Sequence, residues 1–117
     1  MDFYISNNLT KTEFKADLSQ RNSPVDWQHI GEGYPSINFS FKKNSLSFLF
    51  FMSNAKEAQH ITNLEFYFCK RKDKNTTILE NNQRSEAYMI KFKNEECCLT
   101  FINILNNYLK IRTLNRR

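Results

Sequence analysis

Residues 37–52 read Ile-Asn-Phe-Ser-Phe-Lys-Lys-Asn-Ser-Leu-Ser-Phe-Leu-Phe-Phe-Met. Ile37, Phe39 and Phe41 alternate with Asn38, Ser40 and Lys42, the period of two that gives a strand one buried and one wet face. Lys43-Asn44-Ser45 supplies a turn, and Leu46 to Met52 is so apolar that a strand covered on both faces is expected. The product is a β-hairpin whose phenylalanines need a further layer to shield them from water.

That layer is expected at the C-terminus. Asn94 has the side chain of an N-cap, Glu95 and Glu96 occupy the first turn, and Lys110 and Arg112 the last, the placement a helix dipole favours. Cys98, Phe101, Ile102, Leu105, Tyr108 and Leu109 recur at helical spacing on one broad face, so this helix should lie across a sheet. At about 1.5–3 kcal/mol per large side chain, that face contributes of order 10 kcal/mol before entropy.

Working towards the N-terminus, Asp2 to Ser6 reads as a short strand and Thr10 to Gln20 as a helix. Thr10 and Glu13 fit a capping box, Leu9 and Phe14 a hydrophobic staple, and Phe14 and Leu18 the inward stripe. Val25 to Ile30 reads as a strand closing at Gly31-Glu32-Gly33, with Trp27 towards the core and Tyr34 in a turn before Pro35. Ser53 is expected to cap a short helix through Ala55, Ala58 and Ile61. Glu65 to Lys70 is extended, and Thr76 to Leu79 and Ala87 to Lys93 form a further strand pair with Tyr88, Ile90 and Phe92 on one face. The fold class expected is α+β: an antiparallel β-sheet with an N-terminal helix and a C-terminal helix packed on it. One domain should span residues 1–112, followed by a short basic tail at 113–117.

Composition agrees with a single globular domain. The chain has 117 residues, 11 Phe and 5 Tyr, far more apolar surface than a solvated chain carries, and only 2 Gly and 2 Pro. Its net charge is +5, concentrated at Lys70, Arg71, Lys72 and Lys74 and again near the C-terminus, which suits an acidic partner. Three cysteines, two of them adjacent, pair badly and suggest reduced, mostly buried thiols. Charged residues interrupt the first 18 positions, so no signal-peptide core is seen, and Leu46 to Met52 is too short to cross a bilayer. A cytoplasmic location is expected.

Chemistry-bearing motifs are sparse. His29 and His60 are the only imidazoles; Asp26, His29 and Glu32 are close in sequence, but on a strand Asp26 and His29 point to opposite faces. Glu13-Phe14-Lys15 has the acid-x-Lys form of metal-dependent nucleases without their upstream acid. No Gly-rich phosphate loop, HExxH, CxxC pair or GxSxG occurs, so no enzyme activity, cofactor or metal is expected. Phe39, Phe41, Phe48, Phe50, Phe66, Tyr67 and Phe68 could stack on single-stranded nucleic acid, but their alternation fits a core better.

Leu9-Thr10-Lys11-Thr12-Glu13-Phe14 with Leu18 and Arg21 resembles the opening segment of small bacterial immunity proteins of contact-dependent growth inhibition and polymorphic toxin systems. The resemblance implies a non-catalytic inhibitor that binds and neutralises a cognate toxin domain, here one with an acidic surface. Ala87 to Glu96 leading into Phe101, Leu105 and Leu109 looks like the last strand and C-terminal helix of pleckstrin-homology-like domains, which implies peptide or lipid binding. A basic nucleic-acid-binding domain is the other alternative. Under the inhibitor reading, partner contacts are expected from Tyr34, from Lys70, Arg71, Lys72 and Lys74, and from Arg84, in loops held by a rigid scaffold.

Overall fold

The computed structural model describes residues 3–21, 26–53 and 58–115, with the backbone alone at residues 60 and 62. Eight antiparallel strands are followed by one helix: β1 Tyr4–Asn8, β2 Ala16–Arg21, β3 Trp27–Ser40, β4 Ser45–Met52, β5 Ala58–Thr62, β6 Phe68–Arg71, β7 Thr76–Asn81, β8 Glu86–Lys91 and α1 Glu95–Asn115. Along the main path the order is β5-β4-β3-β2-β8-β7-β6, with β1 added beside β3. The path is thus a meander of four strands and a meander of three, joined where β8 pairs with β2.

The N-terminal helix expected over Thr10 to Gln20 is absent. Thr12–Phe14 forms a single 3₁₀ turn, Lys11 at its start makes no side-chain cap bond, and Ala16–Arg21 continues as β2. A spacing of four between Phe14 and Leu18 fits a strand as well as a helix, and the strand wins because Ala16 and Leu18 both drop into the core, 3% and 0% exposed. The fold is therefore mostly antiparallel β with one C-terminal helix. The stop expected at Gly31-Glu32-Gly33 is also absent, since β3 runs through it. Gly31 instead marks a bulge: Leu18 pairs with Gly31 while Ser19 pairs with His29, and the glycine holds φ at +154°. Residues 54–57 of the expected short helix lie outside the described residues, and Ala58–Thr62 is strand. Leu64–Phe66 is a second 3₁₀ turn before the extended β6.

The strands at 37–40 and 87–91 form as their alternation predicts, whereas β4 is not covered on both faces as its apolar run suggests: Leu46, Phe48 and Phe50 are buried while Leu49 is half-buried and Phe51 is 40% exposed. Their inward residues Ile37, Phe39, Leu46, Phe48, Phe50 and Ile90 are all at most 1% exposed. The helix covers them. Phe101 meets Phe48 edge-on at 6.0 Å and Phe92 at 5.5 Å between ring centroids, a geometry aromatic pairs favour. Asn94 caps it as expected, its Oδ1 accepting from the Cys97 amide at 2.9 Å. The helix continues to Asn115, whose side chain donates to the Phe41 carbonyl at 3.0 Å, three residues into the stretch read as tail.

Candidate protein-binding face

The registers of five neighbouring strands place Trp27, Arg21, Ala87, Glu80 and Phe68 directly opposite one another, from β3 through β2, β8 and β7 to β6. Residues paired across antiparallel strands share a face, and this row lies on the side away from Leu18, Ile90 and Leu79. Four strand spacings make it about 19 Å long. A second row beside it runs His29, Ser19, Met89, Ile78 and Lys70.

An aromatic ring stands at each end of the first row, and a charged network fills its middle. Arg21 lays its guanidinium 5.5 Å from the Trp27 ring centroid and donates to Glu80 Oε1 at 3.1 Å. Lys70 Nζ reaches Glu80 Oε2 at 2.9 Å. Hydrogen bonds from Lys70 and then Arg21 hold the Glu80 carboxyl below the usual range. Ala87, 0% exposed, is the small floor over which Arg21 and Glu80 meet, and Ile78 beside it is nearly buried. At the open end Phe68 is 71% exposed, and Phe66 just before it 62%. Water-exposed phenylalanines of this kind, next to a strand that pairs on one side only, are features that isolated domains normally avoid.

The six residues expected to touch a partner are only partly brought together. Lys70 belongs to this face. Arg71 is spent on structure: its Nη2 donates to Glu95 Oε2 at 2.6 Å and to the Lys74 carbonyl at 3.1 Å, hooking β6 to the start of α1. Lys72 and Lys74 are exposed and without an ion-pair partner among the described residues. Arg84, in the turn between β7 and β8, is exposed near the Tyr67 and Tyr88 hydroxyls, whose pKa values its charge lowers against the larger raising effect of burial. Tyr34 is a correction: it lies within β3, opposite Phe51 on β4 and half-buried, and not in a turn. Trp27 likewise turns away from the core to carry Arg21. Neither Trp27 nor Arg21 was legible as a pair, because only the β2–β3 register puts them side by side.

Burial pushes the Cys69, Cys97 and Cys98 thiols up, so none is poised as a thiolate. His29 contacts Asp17 at 3.3 Å on the exposed surface. Among the described residues no group of three His, Cys, Asp or Glu could hold a metal, and no helix is long and apolar enough to cross a membrane. Of the aromatic residues offered for stacking, Phe39, Phe48 and Phe50 are core; Phe66 and Phe68 alone are exposed. No protein-family model matches the chain, and no curated protein matches it.

Proposed function

We propose that the protein is a non-catalytic protein-binding inhibitor, an immunity protein whose cognate toxin domain docks on the outer face of β2, β8, β7 and β6. The observation that supports this reading is the Trp27–Arg21–Ala87–Glu80–Phe68 row. Trp, Arg, Met and Phe are the residue types interface centres prefer, and Trp and Arg those that dominate binding energy. Arg21 and Glu80 already satisfy each other, so a partner can cover them without leaving a charge unpaired. Lys70 lies on the face and the exposed Lys72 and Lys74 follow it in the chain, a basic run that suits an acidic partner and raises the association rate at low salt.

The test is affinity capture from nuclease-treated lysate of the native host, washed at low and high salt, with wild type, Phe68→Asp and Trp27→Asp compared after melting curves show all three folded. One stoichiometric protein should survive high salt on wild type and be lost from both variants. Expressed alone it should arrest growth, and co-expressed wild type, but not Phe68→Asp, should restore it. Recovery of nucleic acid alone, falling steeply with salt, would sink the proposal, as would a captured protein indifferent to both substitutions.

The strand order favours one other reading. Leaving β1 aside, seven strands in meanders of four and three, closed by a C-terminal helix, are what a pleckstrin-homology-like lipid or peptide module would require. Of the cations offered for phosphate, Lys70 and Arg71 are committed to Glu80 and Glu95, which leaves Lys72 with few allies. Sedimentation with phosphoinositide vesicles, abolished by alanine at Lys70, Arg71 and Lys72 together, would favour this second reading over the inhibitor.

A further inference from the structure

The other half of the sheet carries a different surface. On the face of β1, β3 and β4 that points away from the core, two cross-strand rows lie side by side: Tyr4, Ser40 and Ser45, and Ser6, Asn38 and Ser47. The alternate residues Ile5, Ile37, Phe39, Leu46 and Phe48 face inward, so this polar set is the wet side of the same strands. It is not flat. With Leu49, Lys43 and Asn63 the two rows line a groove of about 550 Å³, within the roughly 300–1,000 Å³ of small-ligand sites. Ser40, at one end of its floor, is 6% exposed, and Asn38, Ser45 and Ser47 are half-buried.

The hydrogen-bonding state of the groove points to its occupant. Ser45 Oγ donates to Asn63 Oδ1 at 3.1 Å, which holds the Asn63 side chain at the rim and leaves its amide hydrogens to donate. Ser40 Oγ accepts from the Lys43 amide at 3.2 Å. The side chains of Ser6, Asn38 and Ser47 have no hydrogen-bond partner among the described residues. Hydroxyls and carboxamides both donate and accept. Among the described residues no carboxylate lines the groove, and Lys43 is the one cation. Tyr4, 61% exposed, raises an aromatic ring along one wall. A phosphate-rich ligand would find one cation; an apolar ligand would find Leu49 and a single ring.

From this we infer that the groove is a binding site for a short, neutral oligosaccharide. Vicinal sugar hydroxyls both donate and accept, matching the Ser6–Asn38–Ser47 row. The C–H face of a pyranose packs on an aromatic ring, the place Tyr4 offers. The site lies on β1, β3 and β4 and shares no residue with the Trp27–Phe68 row, so it stands or falls independently of the inhibitor reading.

The experiment is a glycan array probed with the full chain, followed by calorimetric titration of the best glycan, with maltotriose and chitotriose as fixed probes. Saturable binding with a Kd at or below about 1 mM is expected, weakened ten-fold or more by Asn38→Ala and by Tyr4→Ala, and unchanged by Lys110→Ala on the exposed side of α1. If Asn38→Ala lowers the melting temperature, the exposed Ser6→Ala takes its place. Absence of binding across the array, or binding that survives both Tyr4→Ala and the row substitution, overturns the assignment.

Discussion

Glu65 sits in the 3₁₀ turn Leu64–Phe66, the corner through which the chain leaves β5 and enters β6, and its side chain is only 4% exposed. Its Oε1 accepts from the Leu46 amide at 2.8 Å, and Oε2 lies 3.9 Å from Arg112 Nε, which itself donates to the Asn44 carbonyl at 3.0 Å. One carboxylate therefore ties together the start of β4, the corner and the end of α1. Glu65→Ala removes a charge-assisted hydrogen bond, about 1.5–3 kcal/mol, and leaves the amide of Leu46 without its acceptor. Leu46 is 0% exposed, so solvent repays little. A loss of about 2–4 kcal/mol is expected, which for a chain of this size lowers Tm by roughly 8–15 °C. Urea unfolding followed by tryptophan fluorescence, with Tm from circular dichroism, measures it. Glu65→Gln keeps an acceptor and gives up the charge, so its cost should be about 1 kcal/mol. An alanine variant within about 0.5 kcal/mol of wild type, or a glutamine variant as costly as alanine, would refute the pinning.

Three further outcomes follow from the geometry. Gly33→Ala would place a Cβ 2.1 Å from the Phe51 carbonyl oxygen and 2.8 Å from the Phe50 ring, so β3 and β4 must part; a cost of about 3 kcal/mol or more is expected, read as a collapse in soluble yield or Tm. Because Lys70 and Arg21 hold the folded Glu80 carboxyl below its ordinary value, that pairing stabilises the fold above the unfolded pKa and is lost as pH falls through the folded one. Glu80→Gln should therefore flatten the acid limb of a stability–pH curve, and an unchanged limb would count against the network. The Tyr67 phenol is raised by burial first and then by donating to Glu86 at 2.6 Å, so its contribution is present below the ordinary phenol value near 10 and lost as pH climbs beyond it. Tyr67→Phe should make the alkaline loss of stability shallower in urea titrations across that range.

Much of the framework was legible in the sequence, and the failures have a common cause. The strands at 37–42 and 87–91 and the terminal helix were readable because several apolar positions in each satisfy one period and violate the other; the run at 46–52 announced a strand but hid that only one of its faces is buried. Phe14 and Leu18 satisfy both, and the capping-box pattern at Thr10 and Glu13 tipped the reading to a helix that tertiary burial of Ala16 overrides. The glycines of Gly31-Glu32-Gly33 read as a turn, yet they serve a bulge and a close strand approach, which Gly also permits. The candidate face was less legible still. Lys70 was accessible as part of a basic run, but the Trp27–Phe68 row exists only once four registers are set, and no local signal reports a register. Phe68 looked like core because its exposure follows from β6 being last in the sheet.

The pairing of β2 with β8 sets the order in which the molecule can assemble. Within each meander, strands contact their sequence neighbours, and such hairpins close on a microsecond scale. The β2–β8 seam instead joins Asp17 to Lys91 and Arg21 to Ala87, so its loop-closure entropy falls due before most of its contacts exist. A seam between strands so far apart in sequence implies folding in milliseconds to seconds, with substitutions in β2 and β8 expected to slow refolding and those at the outer edges, β5 and β6, chiefly to hasten unfolding. Until the seam shuts, Leu18 and Ile90 lie uncovered on open edges, and a nascent chain that stalls there is one that another copy can capture.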